Sequence, residues 1–224
     1  MRLSDFESMR PMPPFIRELR DANRNGLKTQ TRRVIDPQPL KPGVWLGKND
    51  WEFELRSLNT MYCRYGKTGD LTYMREPLVR KGAYAFYFDD DEPVTSLLTG
   101  EVVRWRWKVN TLSQLFMPKE AARSFFRYEA IRIEKVQEIS ARDAIAEGLR
   151  GNGWYYCGAS ILSPYDAYQM LWDSINAKRG YGWDKNPWVW VLKYAPTALA
   201  GTYPDGHTSS ILEEHQNGGG SEAK

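Results

Sequence analysis

The longest segment with a single hydrophobic period runs from residue 124 to residue 139, and it limits the fold more than any other feature. Within it, Ile131 and Ile133 alternate with Arg132 and Glu134. This is the period of a β-strand that turns one face towards a core. The segment therefore predicts the longest strand of the protein.

Other segments predict shorter elements, bounded by proline, glycine or capping residues. The further strands are predicted at 27–35, 71–76, 83–88 and 187–192, with a hairpin at 44–58. Helices are predicted at 12–25, at 140–148 after the capping residue Ser140, and from Ser163 onwards. The last helix has an apolar stripe at helical spacing, which predicts its core face: Tyr168, Leu171, Trp172 and Ile175.

These elements predict an α+β fold with five to seven mixed strands and two or three short helices. The architecture that fits them is a small closed or half-closed β-barrel with helices over its mouths. We expect one domain over residues 1–198, with insertions near 40–60 and 89–122. Residues 199–224 are expected to form a flexible, acidic C-terminal tail.

The placement of histidine and cysteine excludes several classes of enzyme. The only histidines, His207 and His215, lie in the predicted tail, so a Ser-His-Asp or Cys-His mechanism has no base in the body. Cys63 and Cys157 lie far apart, which argues against a zinc site, a zinc-dependent base deaminase and a disulfide framework. We expect no metal, no cofactor and a reducing compartment.

The charge is unevenly distributed along the chain. Residues 201–224 carry four acidic residues and one lysine, so the formal net charge of +3 corresponds to +6 for the body. This value is compatible with a polyanionic partner without requiring one. The polar N-terminus and the lack of a long apolar run predict a protein with no membrane segment. The acidic cluster Asp89–Glu92 lacks the glycine and spacing of an EF-hand loop and predicts a solvated turn.

Three motifs are more specific than composition. The first is G-x-K-x-x-T-x-R at 26–33, the second is the turn 66–70 leading to Arg75-Glu76, and the third is 139–148 followed by 186–191. In this order and spacing they resemble the ASCH domain family, whose fold is a PUA-like β-barrel related to RNA-binding domains. The resemblance covers roughly residues 9–195 and is strongest to long members encoded by phages and prophages. It implies a location in the cytoplasm of a bacterial host.

The resemblance also implies an activity. Compact bacterial members of the family hydrolyse the amide of N4-acetylcytidine, and their catalytic Lys, Thr and Glu match Lys28, Thr31 and Glu147. The partners implied are a modified nucleoside or RNA. Arg32, Arg33, Arg75 and Glu76, which lie in or beside the motifs, are the predicted substrate-binding residues.

The chemistry is consistent with these residue types. Amide hydrolysis needs a nucleophile, a base and donors for the developing oxyanion. A lysine can act as the base where burial or a neighbouring cation lowers its pKa. Lys28 is the predicted base, Thr31 the nucleophile or the group that holds the water, and Glu147 the group that orients the amine or protonates the leaving nitrogen. Side chains at 28 and 31 meet only if the chain bends near Lys28, which Gly26 favours.

A second function stays open, namely that of a non-catalytic reader of RNA or DNA that uses the same pocket. The run Arg104-Trp105-Arg106-Trp107-Lys108 offers stacking planes and cations together, as binders of single-stranded nucleic acid do. The same run is equally typical of an edge hairpin protected by charge.

Overall fold

The computed structural model describes residues 3–38, 44–46, 52–55, 60–149, 156–157 and 160–197. Most of the predicted insertion at 40–60 and the predicted tail with both histidines lie outside these residues. The helices are α1 (Leu3–Ser8), α2 (Arg17–Arg24), α3 (Ala141–Ala146) and α4 (Pro164–Asn176). The strands are β1 (Arg10–Pro11), β2 (Gln30–Val34), β3 (Val44–Leu46), β4 (Glu52–Leu55), β5 (Thr60–Tyr62), β6 (Leu71–Tyr73), β7 (Leu78–Lys81), β8 (Tyr84–Tyr87), β9 (Thr111–Leu112), β10 (Phe125–Lys135), β11 (Tyr156–Cys157), β12 (Ser160–Ile161) and β13 (Trp188–Pro196).

The main sheet has five strands in the order β1-β6-β10-β13-β2. Only β1 and β6 run parallel; every other neighbouring pair is antiparallel. The long strands β10 and β13 pair from Lys135 with Trp188 to Phe126 with Pro196, with one irregularity between Tyr128 and Ala130. The segment that predicts the longest strand therefore forms the middle strand of the sheet, paired with β13 along most of its length and with β6 over its first three residues.

The α+β class predicted from the sequence is confirmed. Barrel closure stays a prediction, because in the described residues no ladder joins the edge strands β1 and β2. The same residues hold thirteen strands, more than the five to seven expected. The additional ones are short and form three small sheets, β3-β4-β5, β8-β7-β9 and β11-β12.

The local signals for the helices correspond to real caps. The Ser140 side chain accepts a hydrogen bond from the Asp143 amide at the start of α3, and Ser163 does the same for Asp166 at the start of α4. After α2 the chain turns at Gly26, whose φ of +68° favours glycine. One position of the expected core face of α4 is wrong. Ile175 is 37% exposed and lies on the wall of a surface cleft.

The apolar side chains form two cores. The larger one lies between the main sheet and helices α2, α3 and α4, and contains Leu192, Trp172 and Phe15. The smaller one is built around β7 and β8 and includes Leu78 and Val94. In the part of the chain described here, no helix is long and apolar enough to cross a bilayer.

The expectation of a solvated acidic turn at 89–92 is wrong for its first residue. The Asp89 side chain is buried and forms two hydrogen bonds with the Arg20 guanidinium, at 2.7 and 2.8 Å. Arg20 lies on α2, so this pair fastens that helix to the turn after β8. A buried carboxylate needs such a partner, because an unpaired buried charge is costly.

Candidate functional site

Lys28 and Glu147 meet although they lie far apart in sequence. A single antiparallel bridge pairs the two residues just before β2 begins and just after α3 ends. The Thr29 amide also donates to the Ala146 carbonyl at 2.9 Å. The end of α3 is thereby fixed to the entry of β2, and the two predicted catalytic side chains are brought into one place.

The Lys28 ammonium is buried and fully hydrogen-bonded. Its Nζ lies 2.8 Å from Glu147 Oε2, 2.7 Å from the Glu147 carbonyl oxygen and 2.8 Å from the Gln30 carbonyl oxygen. Burial lowers the pKa of Lys28 to about 8, while the Glu147 carboxylate acts in the opposite direction. A lysine with this pKa can change its protonation state close to neutral pH.

Arg32 holds the other oxygen of the Glu147 carboxylate. Its Nη1 lies 3.1 Å from Glu147 Oε1, and its Nε donates to Glu134 at 2.7 Å. Although the side chain of Arg32 is inaccessible to solvent, its charge is compensated by carboxylates on β10 and α3. Glu147 is therefore clamped between a lysine and an arginine.

A wider ion network surrounds this clamp. Arg132 bonds Glu134 at 3.0 Å and Asp143 at 2.9 Å, and Asp143 is also 3.2 Å from Arg32. Arg32 and Arg132 reach the same carboxylates because both are in register with Val191, on either side of β13. With Lys28 and Glu147 the network holds three cations and three carboxylates, so its formal charge is zero.

Thr31 is buried, but it does not join this network. Its hydroxyl has no hydrogen-bond partner among the described residues. Thr31 is in register with Leu192, while the next residue, Arg32, is in register with Val191. Because side chains alternate along a strand, the hydroxyl projects from the opposite face of β2 to the Arg32 guanidinium. An unpartnered buried hydroxyl is unusual and marks this position as one that needs an explanation.

A cleft of about 650 Å³ opens above the clamp. Arg32 and Glu147 lie on its wall, whereas Lys28 and Thr31 do not contribute to the lining. Many of the lining residues are apolar or aromatic, among them Phe15, Tyr65, Tyr168, Leu171, Trp172 and Ile175. The lining also includes six arginines: Arg10, Arg32, Arg33, Arg64, Arg75 and Arg179.

Two of the predicted substrate-binding arginines are held in place by carbonyl groups. Arg33 donates to the carbonyl oxygens of Arg32 and Pro14, each at 3.0 Å, and its guanidinium lies 5.0 Å from the centre of the Phe15 ring. Arg75 donates to the Leu115 carbonyl at 2.8 Å, and its buried Nε has no partner among the described residues. Both guanidiniums thus line the cleft without an ion pair to any described carboxylate.

The structure places Glu76 elsewhere. Its buried carboxylate receives hydrogen bonds from Arg123 at 2.9 and 2.7 Å, and it also pairs with Arg24. Glu76 does not contribute to the cleft lining. Its oxygens hold α2 to the segment before β10, so the structure gives it a structural role and no contact with a ligand in the cleft.

The run at 104–108 is also separate from the cleft. Trp105 and Trp107 are half-buried against the smaller core and meet edge to face, with ring centres 4.9 Å apart. Trp105 donates to the Val109 carbonyl at 2.9 Å, and Arg106 pairs with Glu120 at 2.7 Å. Arg104 and Lys108 are exposed. These contacts favour the structural interpretation of the run, and nucleic-acid binding there stays a prediction.

Sequence reasoning missed several residues of the site. Arg132, Glu134 and Asp143 complete the ion network, and Arg10, Arg64 and Arg179 complete the basic wall. The alternation of Arg132 and Glu134 with buried isoleucines was the one available signal, because it places both charges on one face of β10. In the described residues, no group of three or more His, Cys, Asp or Glu side chains is arranged to hold a metal ion.

Comparison with known proteins gives no family for the chain. No family model and no curated protein matches it. Among solved structures, a protein of Enterococcus faecalis V583 described under the family model DUF984 is similar over 89% of this chain and 86% of that chain. The identity is 12% and the TM-score 0.39, so this similarity carries no argument. The site is therefore interpreted from its own geometry.

Gly148 controls how closely α3 approaches Lys28, and this predicts a specific effect of substitution. Its φ is +93°, and an added Cβ would lie 3.1 Å from the Cβ atoms of Lys28 and Ala22. Gly180 has a similar φ of +84° but open space around it.

We expect Gly180→Ala to cost about 1 kcal/mol of unfolding free energy through backbone strain. Gly148→Ala should cost about 1–3 kcal/mol more through steric crowding. Urea denaturation of both variants measures the difference, and equal losses would contradict the packing at Lys28.

Proposed function

We propose that this protein is a nucleoside- or RNA-handling protein of the ASCH type, with a PUA-like barrel, that hydrolyses the N4-acyl amide of a modified cytidine. The observation that carries the proposal is the Lys28–Glu147 pair at the cleft. The two residue types that the motifs single out converge from positions 119 residues apart. The aromatic and basic walls suit a cytosine ring and its polar substituents.

The reaction adds water across one amide bond. The C–N bond between the acyl carbon and N4 breaks, a C–O bond forms to the attacking oxygen, and the proton lost by the nucleophile is returned to N4. The products are the free amino group of cytidine and a carboxylic acid, which ionises at neutral pH and releases its proton to solvent. No oxidant, reductant or second substrate is required.

The proposed roles follow the geometry of each group. Glu147 lines the cleft and is the group that contacts the exocyclic nitrogen. Lys28, hydrogen-bonded to Glu147, is the proton acceptor, acting at a pKa lowered by burial. Thr31 is the proposed nucleophile or water-holding hydroxyl, and its contact with substrate requires β2 to rearrange so that the buried hydroxyl reaches the cleft. The positive charge of Arg33 helps to lower the pKa of Lys28.

Turnover of N4-acetylcytidine, followed as release of cytidine by chromatography, tests the proposal. Glu147→Gln should lower kcat by at least about a hundredfold, because the amide cannot exchange a proton with the leaving nitrogen. Glu129→Gln is the matched control, since Glu129 is exposed and pairs with Lys193 at 2.9 Å, outside the cleft lining. An inactive wild-type protein, or equal activity in both variants, would contradict the proposal.

The lowered pKa of Lys28 predicts the pH dependence of the reaction. A base must be neutral to accept a proton, and below about pH 8 the amine is protonated. The value of kcat/KM should therefore rise with pH through about 8 and then level off. Rates are measured from pH 6.5 to 9.5 with enzyme-free samples subtracted. A profile that is flat or falls over this range would exclude Lys28 as the base.

Thr31→Val separates the chemical role of Thr31 from its structural one. Valine keeps the branched shape, and the hydroxyl it removes has no hydrogen-bond partner among the described residues. The unfolding free energy should stay within about 1 kcal/mol of wild type or increase. If the hydroxyl takes part in catalysis, kcat should still fall by about a hundredfold or more. Thr29→Val is the control, because it makes the same change of side chain two residues earlier. A stable, fully active Thr31→Val protein would remove Thr31 from the mechanism.

A second function is supported by the basic wall of the cleft. A non-catalytic reader of RNA or DNA would use the same arginines for phosphate contacts and the same aromatic side chains for stacking. It predicts oligonucleotide binding that weakens steeply with salt, together with no turnover of the acylated nucleoside. Binding that does not change with salt would count against it.

A further inference from the structure

The cleft carries positive charge that no described residue neutralises. The ion network below it is balanced, and Arg32 belongs to that network. Five further guanidiniums line the cleft, and none of them forms an ion pair with a described residue: Arg10, Arg33, Arg64, Arg75 and Arg179. Among the described residues, Glu147 is the only carboxylate in the lining, and it already bonds Lys28 and Arg32 through both oxygens.

These five arginines come from separate parts of the chain. They lie on β1, on β2, in the turn before β6, just after β6 and in the turn after α4. Like charges gathered in one concavity repel each other, and the low-dielectric walls strengthen that repulsion. Their convergence is therefore explained by an anionic ligand that compensates them.

Tyr65 lines the cleft together with Arg33, Arg64 and Arg179. The Arg64 guanidinium lies 5.6 Å from the centre of the Tyr65 ring. Burial raises the pKa of Tyr65, and the charges of these three arginines act against that rise. Such a group can donate several hydrogen bonds to a tetrahedral anion, and arginine favours phosphate because its planar fork binds two oxygens at once.

The cleft also has side chains that suit a flat apolar ring. Phe15, Leu171 and Trp172 are among its lining residues, as is Glu147. The volume of about 650 Å³ lies within the range of sites for small organic ligands. The cleft therefore combines a place for a base with a place for a phosphate.

We propose that the cleft binds a nucleoside 5′-phosphate, with the phosphate on the arginines near Tyr65 and the base beside Glu147. The identity of the base as cytosine rests on the proposed function, whereas the recognition of phosphate rests on the arginines alone. A phosphorylated ligand compensates the charge that a neutral nucleoside leaves uncompensated.

Isothermal titration of the whole protein tests this with four probes: CMP, cytidine, inorganic phosphate and a short cytidine-rich RNA without a terminal phosphate. The test variant is Arg64→Gln with Arg179→Gln, two exposed positions on the cleft. The matched control is Arg80→Gln with Arg127→Gln, which removes the same charge at exposed positions outside the lining. Circular dichroism checks that both variants fold.

CMP should bind at least tenfold more tightly than cytidine or phosphate alone, and the affinity should fall as salt is raised. The test variant should weaken CMP binding about tenfold or more and leave cytidine binding nearly unchanged. The control variant should bind CMP as the wild type does.

Equal affinity for CMP and cytidine, or equal loss in both variants, would overturn the phosphate site. If inorganic phosphate binds as tightly as CMP, the proposed contact with the base is wrong. If the RNA binds more tightly than CMP, the ligand is a polynucleotide and the proposed mononucleotide is wrong. Absence of any binding would overturn the inference as a whole. These titrations use no acylated ligand, so their outcome does not depend on turnover. The proposal of a phosphate site can therefore be refuted while amide hydrolysis is confirmed, and hydrolysis can be refuted while the phosphate site is confirmed.

Discussion

The buried ion pair between Lys28 and Glu147 is the interaction on which the site depends. Burying either charge alone would cost several kcal/mol, so each depends on partners of opposite charge. The pair also needs α3 to end against β2, which the bridge between the two residues and the close approach at Gly148 provide. Removing the Glu147 carboxylate would leave the Lys28 ammonium with only carbonyl partners. Removing Lys28 would leave Glu147 paired with Arg32 alone. The site and the local fold are therefore not separable at this point.

The neutral ion network and the arginines of the cleft lie next to each other but differ in whether their charge is compensated. The network of Lys28, Arg32 and Arg132 with three carboxylates is neutral and holds β2, β10 and α3 together. Pairs of this kind perturb pKa values without implying function. Five arginines of the cleft form no ion pair with a described residue, and the proposed phosphate would compensate their charge. Arg32 and Glu147 belong both to the network and to the cleft lining.

Local patterns predicted much of the fold and the centre of the site. Caps at Ser140 and Ser163 and the alternation in β10 depend on near neighbours in sequence, so they could be predicted. Lys28 and Glu147 came from motif resemblance, since no local property joins residues so far apart. The motifs named Arg33 and Arg75, and both line the cleft. Arg10, Arg64 and Arg179 could not be found, because only the tertiary fold brings such distant side chains to one cleft. Glu76 was predicted from a motif to bind substrate, but in the structure its carboxylate forms ion pairs with Arg24 and Arg123.

A crystal structure of the protein with CMP tests the central claim most directly. The account predicts the cytosine amino group within hydrogen-bond distance of the Glu147 carboxylate, and the phosphate in contact with at least two of Arg33, Arg64 and Arg179. The Lys28–Glu147 pair should remain intact beneath the base. A nucleotide bound outside the cleft, for example on Trp105 and Trp107, would contradict the account. So would a nucleotide in the cleft whose phosphate contacts none of these arginines.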